Sequence, residues 1–227
     1  MSDIIIAIDG HSATGKSSTA KKVAKHLGYI YLDSGAMYRA TTLYFLRNNV
    51  NLENIAQVNS FLNSLEINFK KDANGLPLTF VNGKNVENEI RTMNISNYVS
   101  AVSAIKEVRI AMVAQQRKLG EHKGIVMDGR DIGSVVFPEA ELKIFMTASA
   151  EVRAQRRQKE LADKGQEVAF DEVLKNVIDR DRQDSTRKES PLIKVEDAIE
   201  IDNSNMSFDA QVEKIINLAE AKIAASV

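Results

Sequence analysis

The residues best suited to chemistry stand close to the start of the chain. Gly10-His11-Ser12-Ala13-Thr14-Gly15-Lys16-Ser17 fits the G-x-x-x-x-G-K-[ST] pattern of a phosphate-binding P-loop. Glycines let a backbone turn tightly enough for successive N–H groups to point at one anion. A helix opening at Lys16 would add the positive end of its dipole. Lys16 can then reach the outer phosphates of a nucleotide, and the Ser17 hydroxyl can hold Mg²⁺. His11 departs from the P-S-G-A-G-K-G-T form of many P-loops, which leaves the cradle glycines and Lys16 intact, and it is read as loop filling.

Two further stretches combine acid, arginine and glycine. Leu32-Asp33-Ser34-Gly35-Ala36-Met37-Tyr38-Arg39 and Asp128-Gly129-Arg130-Asp131-Ile132-Gly133 each follow a strand-like run. They therefore belong at the carboxyl edge of a sheet, where α/β proteins hold ligands. Arg153, Arg156 and Arg157 are spaced to share one helix face, and Arg180, Asp181, Arg182, Asp184 and Arg187 form a second charged cluster. Such runs are ordinarily solvated faces. Beside a P-loop they acquire another meaning, because phosphoryl transfer is catalysed mainly by positioning and by cations aimed at phosphate oxygens.

The elements that must position these groups follow from hydrophobic spacing. Ile4-Ile5-Ile6-Ala7-Ile8 reads as a strand covered on both faces, followed by a helix from Lys16 to His26 that Gly28 stops. Tyr29–Leu32 is expected as a second strand, Asp33-Ser34-Gly35 as a turn, and Ala36–Leu46 as a helix. Between Leu65 and Arg91 the pattern becomes that of a small antiparallel sheet. Its strands are Leu65–Phe69 and Leu78–Val81, and its turn dipeptides are Asn74-Gly75 and Asn82-Gly83. Helical periodicity from Ile95 through Met112 predicts a continuous helix up to Gly120. Strands are expected at Ile125–Met127, Leu142–Met146 and Ala198–Ile201. Helices are expected at 150–164 and 171–182, with Gly165 between them, and at 208–224. Strands alternating with helices imply an α/β fold with a parallel sheet and right-handed crossovers.

Bulk properties remove several alternatives. The chain has 227 residues, 30 basic against 31 acidic side chains and no cysteine. Disulfides, thiolate metal sites and cysteine nucleophiles are excluded, and no global field favours nucleic acid or a membrane. The short apolar run behind Met1-Ser2-Asp3 is too brief for a signal peptide or a membrane span, so a cytoplasmic protein is expected. A GTPase-like switch would need an N-K-x-D motif, which is absent; Asp72-Ala73-Asn74-Gly75 has D-x-x-G spacing but reads as a hairpin turn. A translocating ATPase would need a larger, more basic chain. His26 and His122 read as ordinary positions. A small kinase fits best.

In order along the whole length stand I-D-G-x-x-x-x-G-K-S, L-D-S-G-A-M-Y-R, E-I-R-T, D-G-R-D-I-G-x-V-V-F-P and R-D-x-x-D-x-x-R. With them the chain resembles the bacterial cytidylate kinase family of the short nucleoside-monophosphate kinase superfamily. That resemblance implies a P-loop kinase fold: a parallel five-stranded core flanked by helices, an inserted small antiparallel sheet and a helical lid. The corresponding boundaries are core at 1–58, acceptor-binding insertion at 59–100, core at 101–150, lid at 151–185 and core at 186–227. It implies transfer from ATP, with Mg²⁺, to CMP or dCMP; balanced charge and the lack of a long exposed apolar pattern point to a monomer that binds neither nucleic acid nor membrane. Gly10 to Ser18 and, more loosely, Arg153, Arg156 and Arg157 would then hold ATP, with Ser17 on the metal. Ser34, Arg39, Ser100, Arg109, Arg130, Asp131, Arg180, Asp184 and Arg187 would hold the acceptor. In that set Arg39 and Arg130 grip the α-phosphate, Arg109 and Asp131 read cytosine, and Arg180 and Asp184 hold the sugar. Lys16, Arg130, Arg180 and Arg187 would carry the catalytic charge.

Overall fold

A computed structural model describes residues 3–71, 77–163 and 165–225. In chain order its elements are β1 (Ile5–Gly10), α1 (Lys16–Leu27), β2 (Ile30–Asp33), α2 (Ser34–Arg47) and α3 (Ile55–Asn63). The strands β3 (Ile67–Lys71), β4 (Pro77–Val81) and β5 (Lys84–Asn85) follow, then α4 (Met93–Ser103), α5 (Lys106–Leu119) and β6 (Ile125–Gly129). Next come a π-helical turn at Ile132–Val136, β7 (Leu142–Thr147), α6 (Ala150–Ala162), α7 (Phe170–Thr186), β8 (Ile199–Asp202) and α8 (Phe208–Ala225). Two compact units result: Met1–Tyr31 with His122–Val227, and Leu32–Glu121.

The first unit is built on a five-stranded sheet of order β2-β6-β1-β7-β8, whose strand β2 continues into the second unit. β1 pairs in parallel with β6 and β7, and β7 with β8. The two-residue period of a strand decides which side chains meet α1 and α8. Ile4, Ile6, Ile8, Val126, Leu142, Ile144, Met146 and Ile201 bury against Ala20, Val23 and Ala24 of α1 and Val212, Ile215 and Ala219 of α8. The carboxyl ends of β1 and β6 are thereby fixed side by side, with Ile8 opposite Asp128 and Asp9 opposite Gly129. Helices α6 and α7 pack on each other through a separate cluster of Ala154, Leu161, Val173 and Val177.

The second unit carries the expected antiparallel sheet, in the order β3-β4-β5. Asn82 and Gly83, both at positive φ, form one of its turns; the other turn dipeptide, Asn74-Gly75, and the Asp72–Gly75 stretch lie outside the described residues. This unit is wider than residues 59–100 because α2, α3 and α5 share the sheet's core. Phe45, Val58, Leu62, Leu65, Val81, Val108 and Met112 are buried together.

Three local expectations need correction. Asp33-Ser34-Gly35 is not a turn: β2 runs straight into α2, because the Asp33 carboxylate accepts the Ala36 N–H at 2.8 Å and caps the helix. The periodic stretch from Ile95 to Gly120 is two helices. Ile105 is extended (φ −73°, ψ 124°) and separates α4 from α5, although apolar spacing runs on across the break. Helix α3 was not foreseen; Asn54 caps it through the Gln57 N–H, and it buries only Val58 and Leu62.

Candidate active site

β1 ends at Gly10, whose φ of +145° and crowding together exclude any side chain. A Cβ there would lie 2.0 Å from the Met146 carbonyl oxygen of β7. Ala13 (φ 60°) and Gly15 (φ 86°) are left-handed, so the loop curls back before α1 begins at Lys16. Lys16 is buried. Its ammonium donates to the His11 carbonyl at 2.5 Å and to the Thr14 hydroxyl at 3.3 Å. Burial first, and then the charge of Arg130, lowers the Lys16 pKa, against the pull of Asp128, Asp9 and Asp184. The Ser17 hydroxyl donates to Asp128 Oδ2 at 2.8 Å, and Tyr31 donates to Asp128 Oδ1 at 2.7 Å. Ser18, one residue further along α1, is exposed.

Asp9, directly before the loop, accepts two backbone N–H groups: Ile132 on Oδ1 at 2.8 Å and Gly133 on Oδ2 at 2.7 Å. It thereby ties the end of β1 to the turn that follows β6. Burial raises its pKa to about 6 despite these bonds; Asp131 adds to the rise and Lys16 opposes it. On that turn, Arg130 Nε donates to Asp184 Oδ2 at 2.8 Å. Arg187 stands 3.9 Å from both Asp184 and Asp131, held by two bonds to the Ser190 carbonyl at 2.8 and 2.6 Å. Burial would raise the Asp184 pKa, but Arg130, with Arg180 and Arg187, holds it below the ordinary range. Thus Arg130, Asp131, Arg180, Asp184 and Arg187 form one charge network on this unit.

The three arginines of α6 diverge. Arg153 is buried and grips Asp181 of α7 with both terminal nitrogens, at 2.9 and 2.6 Å; its Nη1 also reaches the Ser12 carbonyl at 3.4 Å. His11 Nδ1 lies 3.2 Å from the same carboxylate, so it is more than filler: it joins the loop to α7. Arg156 donates to the side-chain and backbone oxygens of Asn203, both at 2.9 Å. Arg157 pairs with exposed Glu160.

The second unit holds the remaining predicted residues. Ser34 is buried at the start of α2. One turn later, Arg39 lies 3.4 Å from Asp33, which also receives Arg91 at 3.0 Å. Arg91 in turn donates twice to Glu87, and Glu87 accepts the Thr79 N–H and hydroxyl. Burial would raise the Asp33 carboxyl, but Arg39 and Arg91 hold it below its usual value. Arg109, buried, donates to the Ser103 carbonyl at 3.1 Å and stacks 5.2 Å from the Tyr38 ring centre. Ser100 is half-buried on α4, one turn before the Ser103 it bonds through its carbonyl.

Sequence reading passed over Asp9, Asp33, Arg91, Asp181 and Asn203 as individual site residues. The signal for Asp9 and Asp33 was present, since each stands at the end of a strand immediately before a motif glycine or serine. Asn203 had no signal, because its partners are remote in sequence.

The donor set suits a magnesium nucleotide. Among the described residues no group of three or more His, Cys, Asp or Glu could hold a metal ion. Mg²⁺ characteristically takes one or two protein ligands and completes its shell with water and phosphate oxygens, which matches Ser17 backed by Asp128.

Comparison with known proteins bears on the whole chain. The family model described as cytidylate kinase matches residues 6–221. A protein named cytidylate kinase from Flavobacterium psychrophilum is 54% identical over 222 residues, covering 96% of this chain and 98% of its own. The protein of the same name from Bacteroides fragilis is 54% identical, covering 94% and 95%. Among solved structures, an uncharacterized protein from Eubacterium ventriosum has a TM-score of 0.52 at 15% identity, covering 96% of this chain and 99% of its own, a likeness of fold alone. The P-loop, the D-G-R-D-I-G turn and the R-D-x-x-D-x-x-R helix lie within this full-length match, and the chain belongs to the cytidylate kinase family.

Proposed function

We propose that this chain transfers the γ-phosphoryl group of ATP to CMP and dCMP, giving ADP and CDP or dCDP, as a monomer working in the cytoplasm. The observation that carries the reading is the arrangement on the first unit. A P-loop with its lysine and its Asp128-bonded serine shares that unit with the Arg130–Asp184–Arg187 network. In the reaction the bond from the β,γ-bridging oxygen to the γ-phosphorus breaks. A bond forms from an α-phosphate oxygen of CMP to the same phosphorus, and the bridging electrons leave with ADP. The acceptor oxygen is already anionic, so the protein has little proton transfer to perform. Its work is to align two anions and offset their repulsion.

Lys16 is the cation for the donor phosphates; a polyphosphate beside it would restore the charge that burial disfavours. Bound Mg²⁺, held by Ser17 with Asp128 behind it, would screen charge on the phosphate oxygens. Arg130 and Arg187 supply cations for the transferring and acceptor phosphates, and Arg39 is assigned to the acceptor α-phosphate. Asp131 suits the amino donor of cytosine and Arg109 its acceptor carbonyl. Arg180 and Asp184 serve the sugar. Arg153 and Arg156 face the donor side, and α6 and α7 form the lid segment that excludes water.

An ADP-release assay across the common nucleoside and deoxynucleoside monophosphates tests the reading. Turnover highest with CMP and dCMP is expected. Highest turnover with UMP or AMP would reassign the base preference, and tight nucleotide binding without transfer to any monophosphate would refute a kinase.

A further inference from the structure

Asn203 sits immediately after β8 and is wholly buried. Its backbone N–H donates to the Thr147 carbonyl at 2.9 Å, which fixes it at the end of β7. Every hydrogen-bonding atom of its carboxamide is engaged. Nδ2 donates to the Thr14 carbonyl of the P-loop at 2.7 Å and to Gln211 Oε1 of α8 at 2.6 Å. Oδ1 accepts Arg156 Nη1 of α6 at 2.9 Å, while the Asn203 carbonyl accepts Arg156 Nη2 at the same distance. Gln211 passes the chain on to the Thr19 hydroxyl of α1 at 2.7 Å.

Thr14 lies between left-handed Ala13 and Gly15, so its peptide orientation is not set by regular secondary structure. Asn203 sets it from outside. Only a carboxamide presents two donors and one acceptor at this length; aspartate would turn both donors into acceptors facing two oxygens. A buried polar group that loses its partner forfeits more than one bond, because its desolvation is left uncompensated.

We propose that Asn203 is a positioning residue for the donor nucleotide, holding the P-loop peptide at Thr14 and Arg156 of α6 as one hydrogen-bonded assembly. The inference rests on the reading of Gly10–Ser17 as the ATP cradle and adds that loop and arginine respond together. Displacing either one shifts the other through a single side chain.

The test uses the full chain with Asn203→Ala, Asn203→Asp, Arg156→Ala and the Asn203→Ala/Arg156→Ala double variant, measuring kcat, KM for ATP, KM for CMP and Tm. Asn203→Asp is expected to raise KM for ATP about tenfold or more while KM for CMP changes less than about twofold. The double variant is expected to be no worse for ATP than the worse single one, since each breaks the same link. Equal rises in both KM values, or fully multiplicative losses in the double variant, would overturn the proposal. Should the Asn203 variants fail to fold, Gln211→Ala reads the same assembly from α8, and an unchanged KM for ATP there would overturn it. Lys16→Ala is assayed alongside. Normal turnover in that variant indicts the ATP-cradle reading itself; loss of turnover there with neutral Asn203 variants indicts this inference alone.

Discussion

Asp9 should make the protein more stable in mild acid than at neutrality. Its carboxyl has an ordinary pKa of 3.8 and about 6 in the fold, with burial as the leading cause. The native state therefore binds the proton more tightly than the unfolded chain does. Between pH 3.8 and about 6 the native form holds more protons, so stability falls as pH rises through that window. At about 1.4 kcal/mol per pH unit the change amounts to about 3 kcal/mol. Asp33, Asp181, Asp184 and Glu87 have lowered pKa values and act in the opposite sense, but their stabilisation is lost only as pH falls below the usual carboxylate range. Maximum stability is thus expected near pH 5.

Asp9→Asn isolates the effect. Asparagine cannot ionise, so the slope between pH 4 and 6 should flatten. It also turns an amide hydrogen toward the Gly133 N–H, where the protonated acid keeps a lone pair, at about 1–3 kcal/mol. The variant should therefore be less stable than the parent at pH 4 and nearly equal to it at pH 7. Urea unfolding at half-unit pH intervals measures both. An unchanged slope in Asp9→Asn would refute the assignment of that proton to Asp9.

Other outcomes are open to direct measurement. Gly10→Ala must displace the β7 backbone at Met146 or the loop itself, and should cost about 3 kcal/mol in a denaturant melt; a cost under about 1 would contradict the packing described. Lys16→Ala should lower kcat by roughly 10²–10³-fold with the fold retained by circular dichroism, and near-normal turnover would remove Lys16 from the mechanism. Asp131→Ala should reduce kcat/KM for CMP far more than for UMP, whereas equal losses would mean that it positions phosphate or supports the fold. Asp33→Asn should loosen Arg39 and Arg91 together and raise KM for CMP with little change in KM for ATP, as steady-state kinetics would show.

The parts legible in the sequence share a cause: each is governed by neighbours in the chain. The P-loop, the strand runs at Ile4–Ile8 and Leu142–Met146, and the helix closed by Gly28 depend on local spacing and on φ. What escaped depends partly on local helix capping and partly on tertiary contact. Ser34 starts a helix because Asp33 folds back over it, where turn-forming residue types suggested a bend. The α4–α5 break keeps its apolar phase, so periodicity ran through it. The arginines at 153, 156 and 157 looked alike on a helical wheel, yet one meets the half-buried Asp181 carboxylate, one a buried amide and one solvent-facing Glu160. Spacing could group them; only their neighbours separate them.

The chain leaves the first unit at Tyr31 and returns at His122, and within that unit these two points are neighbours. The Ile30 N–H donates to the Gly124 carbonyl at 2.9 Å, and the Gly124 N–H to that of Ile4 at 3.1 Å. Leu32–Glu121 is therefore a cassette spliced into one position of a scaffold whose α1–α8 core lies entirely outside it. A splice with adjoining ends tolerates exchange, because closing a longer or shorter loop there costs the scaffold little. The packing of α1 and α8 on the sheet, and the loop around Lys16, can thus persist while the cassette changes.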